Sequence, residues 1–141
     1  MRLLLAGFGS LLLMSCATPQ SDDSLPPPAT AAVTRITEAD AGKVISVAVG
    51  QPFSVALVGV PTAGYLWKPV NPPAFLSVTG ETGGPTTRAQ TKPGFTGGDH
   101  WEVTLFTAAS AGRGELRFEQ RRPWEQNEPP ADTFTVTIEA K

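Results

Sequence analysis

Phe134-Thr135-Val136-Thr137-Ile138, near the C-terminus, alternates apolar and polar residues with a period of two. In an extended chain successive side chains point to opposite faces. Phe134, Val136 and Ile138 therefore share one face, and Thr133, Thr135, Thr137 and Glu139 the other. Alternation built from β-branched and aromatic residues is the pattern of a strand with one face on a core. The same period recurs upstream. Ile45, Val47 and Val49 alternate with Val44, Ser46 and Ala48, and Phe53, Val55 and Leu57 with Ser54, Ala56 and Val58. Trp101, Val103 and Leu105 alternate with Glu102, Thr104 and Phe106, and Leu116 and Phe118 with Arg117 and Glu119. Gly50-Gln51-Pro52, Asn71-Pro72-Pro73, Gly83-Gly84-Pro85 and Gly112-Arg113-Gly114 punctuate these runs as turns. No stretch carries a helical period, and Thr37 to Lys43 reads as a turn at most. Short strands, frequent turns and no helix predict an all-β antiparallel sandwich or barrel. Thr79 to Gly98, rich in Gly, Thr and Pro, reads as one long loop. Loops of that length in compact domains are typically functional or mobile.

Three junctions between these runs stand out. Arg121-Arg122-Pro123-Trp124-Glu125 follows the Leu116–Gln120 run and precedes the loop Gln126-Asn127-Glu128-Pro129-Pro130. Pro123 fixes its own φ and pushes Arg122 toward extended geometry, so Trp124 stands on a stiff backbone. A stiff Trp beside an Arg has the make-up of a binding hot spot, because a large aromatic loses little entropy on docking. A Trp folded back over the sandwich edge fits this segment equally well. Val60-Pro61-Thr62-Ala63-Gly64-Tyr65-Leu66-Trp67 links two strands. Pro61 and Gly64 demand a shaped turn with Gly64 free to take positive φ. That places the small residues Thr62 and Ala63 at its tip. Gly94-Phe95-Thr96-Gly97-Gly98-Asp99-His100 precedes the Trp101 strand. Its paired glycines expose main-chain groups that a partner can pair with.

These three segments resemble the motifs of the chagasin-like inhibitors of papain-type cysteine proteases. The family's first loop reads Asn-Pro-Thr-Thr-Gly-Tyr/Phe, followed two residues later by Trp. Pro61, Thr62, Gly64, Tyr65 and Trp67 match, with Val60 for Asn and Ala63 for the second Thr. The second loop reads Gly-x-Gly-Gly; Gly97 and Gly98 match, and Phe95 holds the first glycine position. The third, Arg-Pro-Trp/Phe, is matched unchanged by Arg122-Pro123-Trp124. The resemblance spans about Val44 to Lys141. It implies an immunoglobulin-like antiparallel β-sandwich whose three binding loops (60–65, 94–99 and 121–126) cluster at one end as a wedge. It further implies that Pro61, Thr62, Ala63, Gly64 and Tyr65 enter the cleft of a papain-like cysteine protease without covalent reaction. Gly97 and Gly98 would give main-chain hydrogen bonds on one side. Arg122, Pro123 and Trp124 would lie on the other, Trp124 stacking on a protease aromatic. Trp67 and Trp101 are assigned to packing.

The chain opens Met1-Arg2, followed by an apolar run from Leu3 that ends at Cys16. One basic residue before a short apolar run is the pattern of a secretory signal, too short for a spanning helix of ~20 residues. Leu13-Met14-Ser15-Cys16 resembles the bacterial lipobox. Residues 1–15 then form the lipoprotein signal peptide, and Cys16 becomes the lipidated first residue of the mature chain. An ordinary signal peptide with an incidental cysteine is the simpler alternative. Ala17, rather than Asp, after that cysteine implies by the same resemblance anchoring at the outer membrane, facing the periplasm. Residues 16–32, with Pro26-Pro27-Pro28, read as a semi-extended tether, and 33–141 as the inhibitor domain.

Cys16 is the only cysteine, so no intramolecular disulfide braces the fold. The 141 residues carry a formal net charge of −2 with no basic stripe, which argues against nucleic acid as a partner. His100 is the only histidine, which leaves no metal set with one cysteine and a poor basis for a Ser-His-Asp site. Nothing marks two of Glu81, Glu102, Glu115, Glu119 and Glu125 as a catalytic pair, and most read as solvated strand faces. No enzyme, cofactor or metal is expected. The competing reading is a non-inhibitory envelope lipoprotein that uses the same loops as a protein-interaction module.

Overall fold

A computed structural model describes residues 23–141. The signal segment 1–15 and Cys16 lie outside the described residues. Eight strands follow in order: β1 Thr34–Thr37, β2 Val44–Val47, β3 Pro52–Gly59, β4 Leu66–Val70, β5 Leu76–Pro85, β6 His100–Ala108, β7 Gly112–Arg121 and β8 Asp132–Ala140. They form two four-stranded sheets, ordered β1-β3-β6-β5 and β2-β8-β7-β4. Of the sandwich or barrel that the alternation left open, the sandwich forms, in the immunoglobulin-like arrangement that the resemblance implied, with one refinement. Three strands of each sheet run antiparallel, but β1 lies parallel to β3 and β2 parallel to β8. The first strand is in effect broken by a 3-10 turn at Glu38–Asp40 and divided between the two sheets. Each half closes one edge with only four residues. Short edge strands of this kind limit pairing with other chains.

In β3, β7 and β8 the inward faces are those the period of two assigns; in β6 the face of Phe106 turns inward and the apolar set Trp101, Val103 and Leu105 faces out. Phe53, Val55, Leu57, Phe106, Leu116, Phe118, Phe134, Val136 and Ile138 are buried in one core. Four phenylalanines cross it in a column. Phe53 stacks on Phe106 at 5.4 Å between ring centroids, Phe106 meets Phe118 edge-on at 6.0 Å, and Phe118 meets Phe134 at 6.4 Å. Such pairs contribute about 0.5–1.5 kcal/mol each beyond area burial, and this column ties one sheet to the other.

Thr79–Gly98 is not one loop. Its first part belongs to β5, which pairs with β6 along its length, with an irregularity between Val78 and Gly80. Glycines hide this strand from a hydrophobic pattern, yet its geometry calls for them. A Cβ on Gly83 would come within 2.6 Å of the Trp101 carbonyl oxygen. Only Thr86–Asp99 connects β5 to β6.

The sheet containing β6 is apolar on both faces. Val103, Ala56 and Ser54 are buried, yet they lie outside the central core. They share the outer face with Trp101, whose indole Nε1 donates to Leu25 O at 2.9 Å. The described part of the Pro-rich segment is thus docked. Leu25 N donates to Thr86 O at 2.7 Å, Arg88 N donates to Asp23 O at 2.8 Å, and Pro28 sits against Gly84. Residues 23–28 form a strap at the β5–β6 edge.

Candidate functional site

The connections β3–β4, β5–β6 and β7–β8 all leave from one end of the sandwich. Pairing of Gly59 with His100, and of Pro85 with His100, sets the stems of the first and second loops side by side. Pairing of Leu66 with Arg121 does the same for the first and third. The segments 60–65, 94–99 and 121–126 are thereby brought together by strand register.

The first loop is a closed turn. Val60 bridges Tyr65, and a 3-10 turn spans Pro61–Ala63 with proline in its first turn. Ala63 N donates to Val60 O at 3.0 Å, and Gly64 N donates to Pro61 O at 2.9 Å. Gly64 takes φ +84°, a left-handed conformation that any other L-residue reaches only at a cost. Thr62 and Ala63 are exposed at the tip. Proline sets the first φ and glycine ends the turn, so the tip is shaped by the sequence Pro-x-x-Gly itself.

The third loop leans on the first. Glu125 N donates to Arg122 O at 3.0 Å, closing a turn with Pro123 and Trp124 at its centre. Arg122 Nε donates to Ala63 O at 3.0 Å. Its guanidinium lies over the Tyr65 ring, 4.5 Å from the centroid, and pairs with Glu125 at 3.2 Å. Arg122 therefore props the first loop instead of standing free. Trp124 is neither wholly free nor folded into the sandwich edge. Its side chain is 69% exposed, while the tip of its indole covers Gly64 so closely that a Cβ there has no room. Behind this turn, Arg121 Nε pairs with Glu119 at 2.7 Å and its Nη1 donates to Glu128 O. The Arg121 hydrogen bond holds the Glu119 carboxyl below the usual carboxylate range.

The second loop holds Gly94, Gly97 and Gly98 at φ +82°, +81° and +91°. Gly97 has open space where a side chain would be, and Phe95 is 46% exposed. The loop's entry and exit are joined through Gln90, whose amide contacts Thr86, Thr87 and Asp99.

Below the loops the two sheets are bolted together. The buried Trp67 donates its Nε1 to Val58 O at 2.9 Å, and Trp67 N donates to Glu102 Oε2 at 2.8 Å. Both bonds run from β4 to the opposite sheet, directly after the first loop. Glu102 is not a solvated strand residue, as its place in an alternating run suggested. It belongs to the core face with Thr104 and Phe106, and its other oxygen has no partner. Burial pushes its carboxyl up from the ordinary value, more than the Trp67 hydrogen bond pulls it down. Sequence reasoning missed both Glu102 and Gln90. The signals were present: a carboxylate on the face of Phe106, and Thr87-x-x-Gln90, a capping-box spacing.

Among the described residues no cluster of His, Cys, Asp and Glu is placed to hold a metal ion. His100 Nδ1 lies 3.3 Å from Gly98 O.

The arrangement suits recognition: a rigid sandwich presents one small exposed tip between an exposed indole and a glycine main chain. Residues 46–138 match the model of the family described as Chagasin family peptidase inhibitor I42. No curated protein sequence matches the chain. Among solved structures it is similar to a cysteine protease inhibitor of Entamoeba histolytica, with TM-score 0.65 and 18% identity over 77% of this chain and 95% of that one. It is also similar to amebosin, with TM-score 0.59 and 27% identity over 77% of this chain and 97% of that one. The first likeness is one of fold; the family match rests on the sequence between β2 and β8, which carries all three loops. The chain belongs to the chagasin family of peptidase inhibitors.

Proposed function

We propose that this chain reversibly inhibits papain-type cysteine proteases by seating the loops 60–65, 94–99 and 121–126 on the active-site cleft. The observation that carries the reading is the propped first loop. Thr62 and Ala63 are exposed on a turn already closed by its own hydrogen bonds and buttressed by Arg122 and Trp124. A protease cleaves extended peptides. The Thr62–Ala63 bond sits in a 3-10 turn, so it occludes the catalytic cysteine without offering a bond in cleavable geometry. Trp124 and the main chain at Gly97 and Gly98 flank this tip and supply lateral contacts. Preshaped loops lose little conformational entropy on docking, which lets an interface of roughly 1,600 Å² bind tightly. Val60, Ala63 and Phe95 depart from the family pattern. The missing Asn and Thr side chains shift weight onto Arg122-Pro123-Trp124, the motif that is intact.

The N-terminal pattern supports a lipoprotein form: residues 1–15 a signal peptide, Cys16 the lipidated residue, and the domain held in the envelope at the outer membrane. Metabolic labelling with palmitate tests it; Cys16→Ser should abolish labelling and release the protein.

The inhibitory reading is tested by titrating the purified domain, residues 23–141, against papain with a fluorogenic peptide. Competitive, reversible inhibition with the inhibitor recovered uncleaved is expected. No inhibition at about 100 μM, a ceiling corresponding to only ~5.5 kcal/mol of binding, would leave the domain a non-inhibitory interaction module.

A further inference from the structure

Three glycines at positive φ shape the second loop. Glycine samples both signs of φ readily, so an unheld Gly97-Gly98 pair would leave φ +81° and +91° at little cost. Two side chains oppose this: the Thr86 hydroxyl, whose Oγ1 lies 3.1 Å from Asp99 O, and above all Gln90. Gln90 Oε1 accepts from Thr86 N at 2.7 Å, Thr87 N at 2.9 Å and Thr86 Oγ1 at 3.2 Å. Gln90 Nε2 donates to Asp99 O at 2.6 Å. The amide thereby ties the residues that leave β5 to the residue that enters β6. Gly98 lies directly on it: a Cβ there would come within 2.6 Å of Nε2. The polarity is asymmetric, with acceptor toward the loop entry and donor toward its exit. Among side chains of this length, only a primary amide or a protonated carboxyl supplies both.

We propose that Gln90 is the positioning residue of the second contact loop, fixing the main chain at Gly97 and Gly98 in the conformation presented to the protease. The assignment rests on the inhibitory reading above. Gln90 acts through Asp99 and Gly98, not by touching the partner. The strap holds the same loop base from outside, through Leu25 N to Thr86 O and Arg88 N to Asp23 O. The loop therefore meets its partner with its ordering cost already met within the free domain.

The test compares the domain, residues 23–141, with Q90A and Q90E in papain inhibition at pH 7.5 and at about pH 4, near the ordinary glutamate pKa of ~4.3. Thermal unfolding is recorded alongside. At pH 7.5 both variants should inhibit about tenfold more weakly than the unaltered domain, the scale of about 1.4 kcal/mol. The Q90E carboxylate keeps the acceptor but has no proton for Asp99 O. As pH falls and that carboxyl gains a proton, Q90E should recover most of its deficit relative to the unaltered domain, while Q90A should not. A merely structural role would lower the unfolding temperature of both without this pH-dependent rescue. Variants within twofold of the unaltered domain at both pH values overturn the assignment alone, as do two variants equally weak at both. An unaltered domain that fails to inhibit overturns the inhibitory reading and this assignment with it.

Discussion

Arg122→Ala tests how far inhibition depends on a preshaped first loop. The guanidinium makes three contacts that the substitution removes together. A charged donor to Ala63 O at 3.0 Å contributes about 1 kcal/mol in this exposed setting. The cation over Tyr65 at 4.5 Å adds about 0.5–1 kcal/mol. The pair with Glu125 adds a few tenths, roughly, because it is a surface ion pair. The sum is about 2 kcal/mol, an upper figure because Trp124 still covers Gly64 and neighbouring contacts are not additive. Inhibition of papain should weaken about 10- to 30-fold, at ~1.4 kcal/mol per tenfold. These contacts belong to the folded state, so the unfolding temperature should fall as well, by up to ~10 °C for about 2 kcal/mol. Arg122→Lys should recover less than half of the loss, because an ammonium cannot bond Ala63 O, lie over Tyr65 and reach Glu125 in one geometry. A double-mutant cycle with Tyr65→Leu should give a coupling of about 0.5–1 kcal/mol. Inhibition within twofold of the unaltered domain would refute the propping argument. Full rescue by Arg122→Lys would also refute it, since charge alone would then suffice.

Three other outcomes follow from the same geometry. Gly64→Ala must hold φ near +84° and displace the Trp124 indole, so it should cost about 1–2 kcal/mol from backbone conformation alone and weaken inhibition more than Arg122→Ala; a papain titration checks it. Glu102→Gln should stabilise the domain at neutral pH while keeping the acceptor for Trp67 N. The folded-state pKa of Glu102 is raised, so its ionisation penalises the fold above that pKa, and the penalty fades as pH falls through it toward the ordinary value of 4.5. Unfolding curves of the two proteins should therefore differ at pH 7 and converge below about pH 4.5. Deleting residues 23–32 should strip Trp101 of its acceptor at Leu25 O and Thr86 and Arg88 of their strap partners, and so lower the unfolding temperature by several degrees, at about 1 kcal/mol net per lost hydrogen bond; calorimetry of the shortened domain reads it directly.

The core was legible because alternation is a direct image of a half-buried strand. Phe53, Val55 and Leu57, like Phe134, Val136 and Ile138, lie where a period of two puts them. The loop tips were legible too, since Pro61 and Gly64, like Pro123, specify backbone shape locally. Two kinds of feature were not. β5 reads as a loop because Gly83 and Gly84 serve close approach of backbone and strap, a need that exists only once β6 and Pro28 are in place. The strap itself reads as a tether because its order comes from Thr86, Arg88 and Trp101, remote in sequence. The roles of Arg122, Gln90 and Glu102 are likewise pairings between segments that only the folded chain brings together. A sequence shows that Arg122 precedes Pro123; it does not show that the guanidinium reaches Ala63.

The central claim is that one end of the sandwich, and no other surface, meets the protease. Hydrogen–deuterium exchange of residues 23–141, alone and with excess papain, measures this most directly. The account predicts slowed exchange confined to 60–65, 94–99 and 121–126, with the opposite end at Gly50 and Gly112 unchanged. Protection centred on that opposite end, or on the outer face of either sheet with the three loops unaffected, would contradict it.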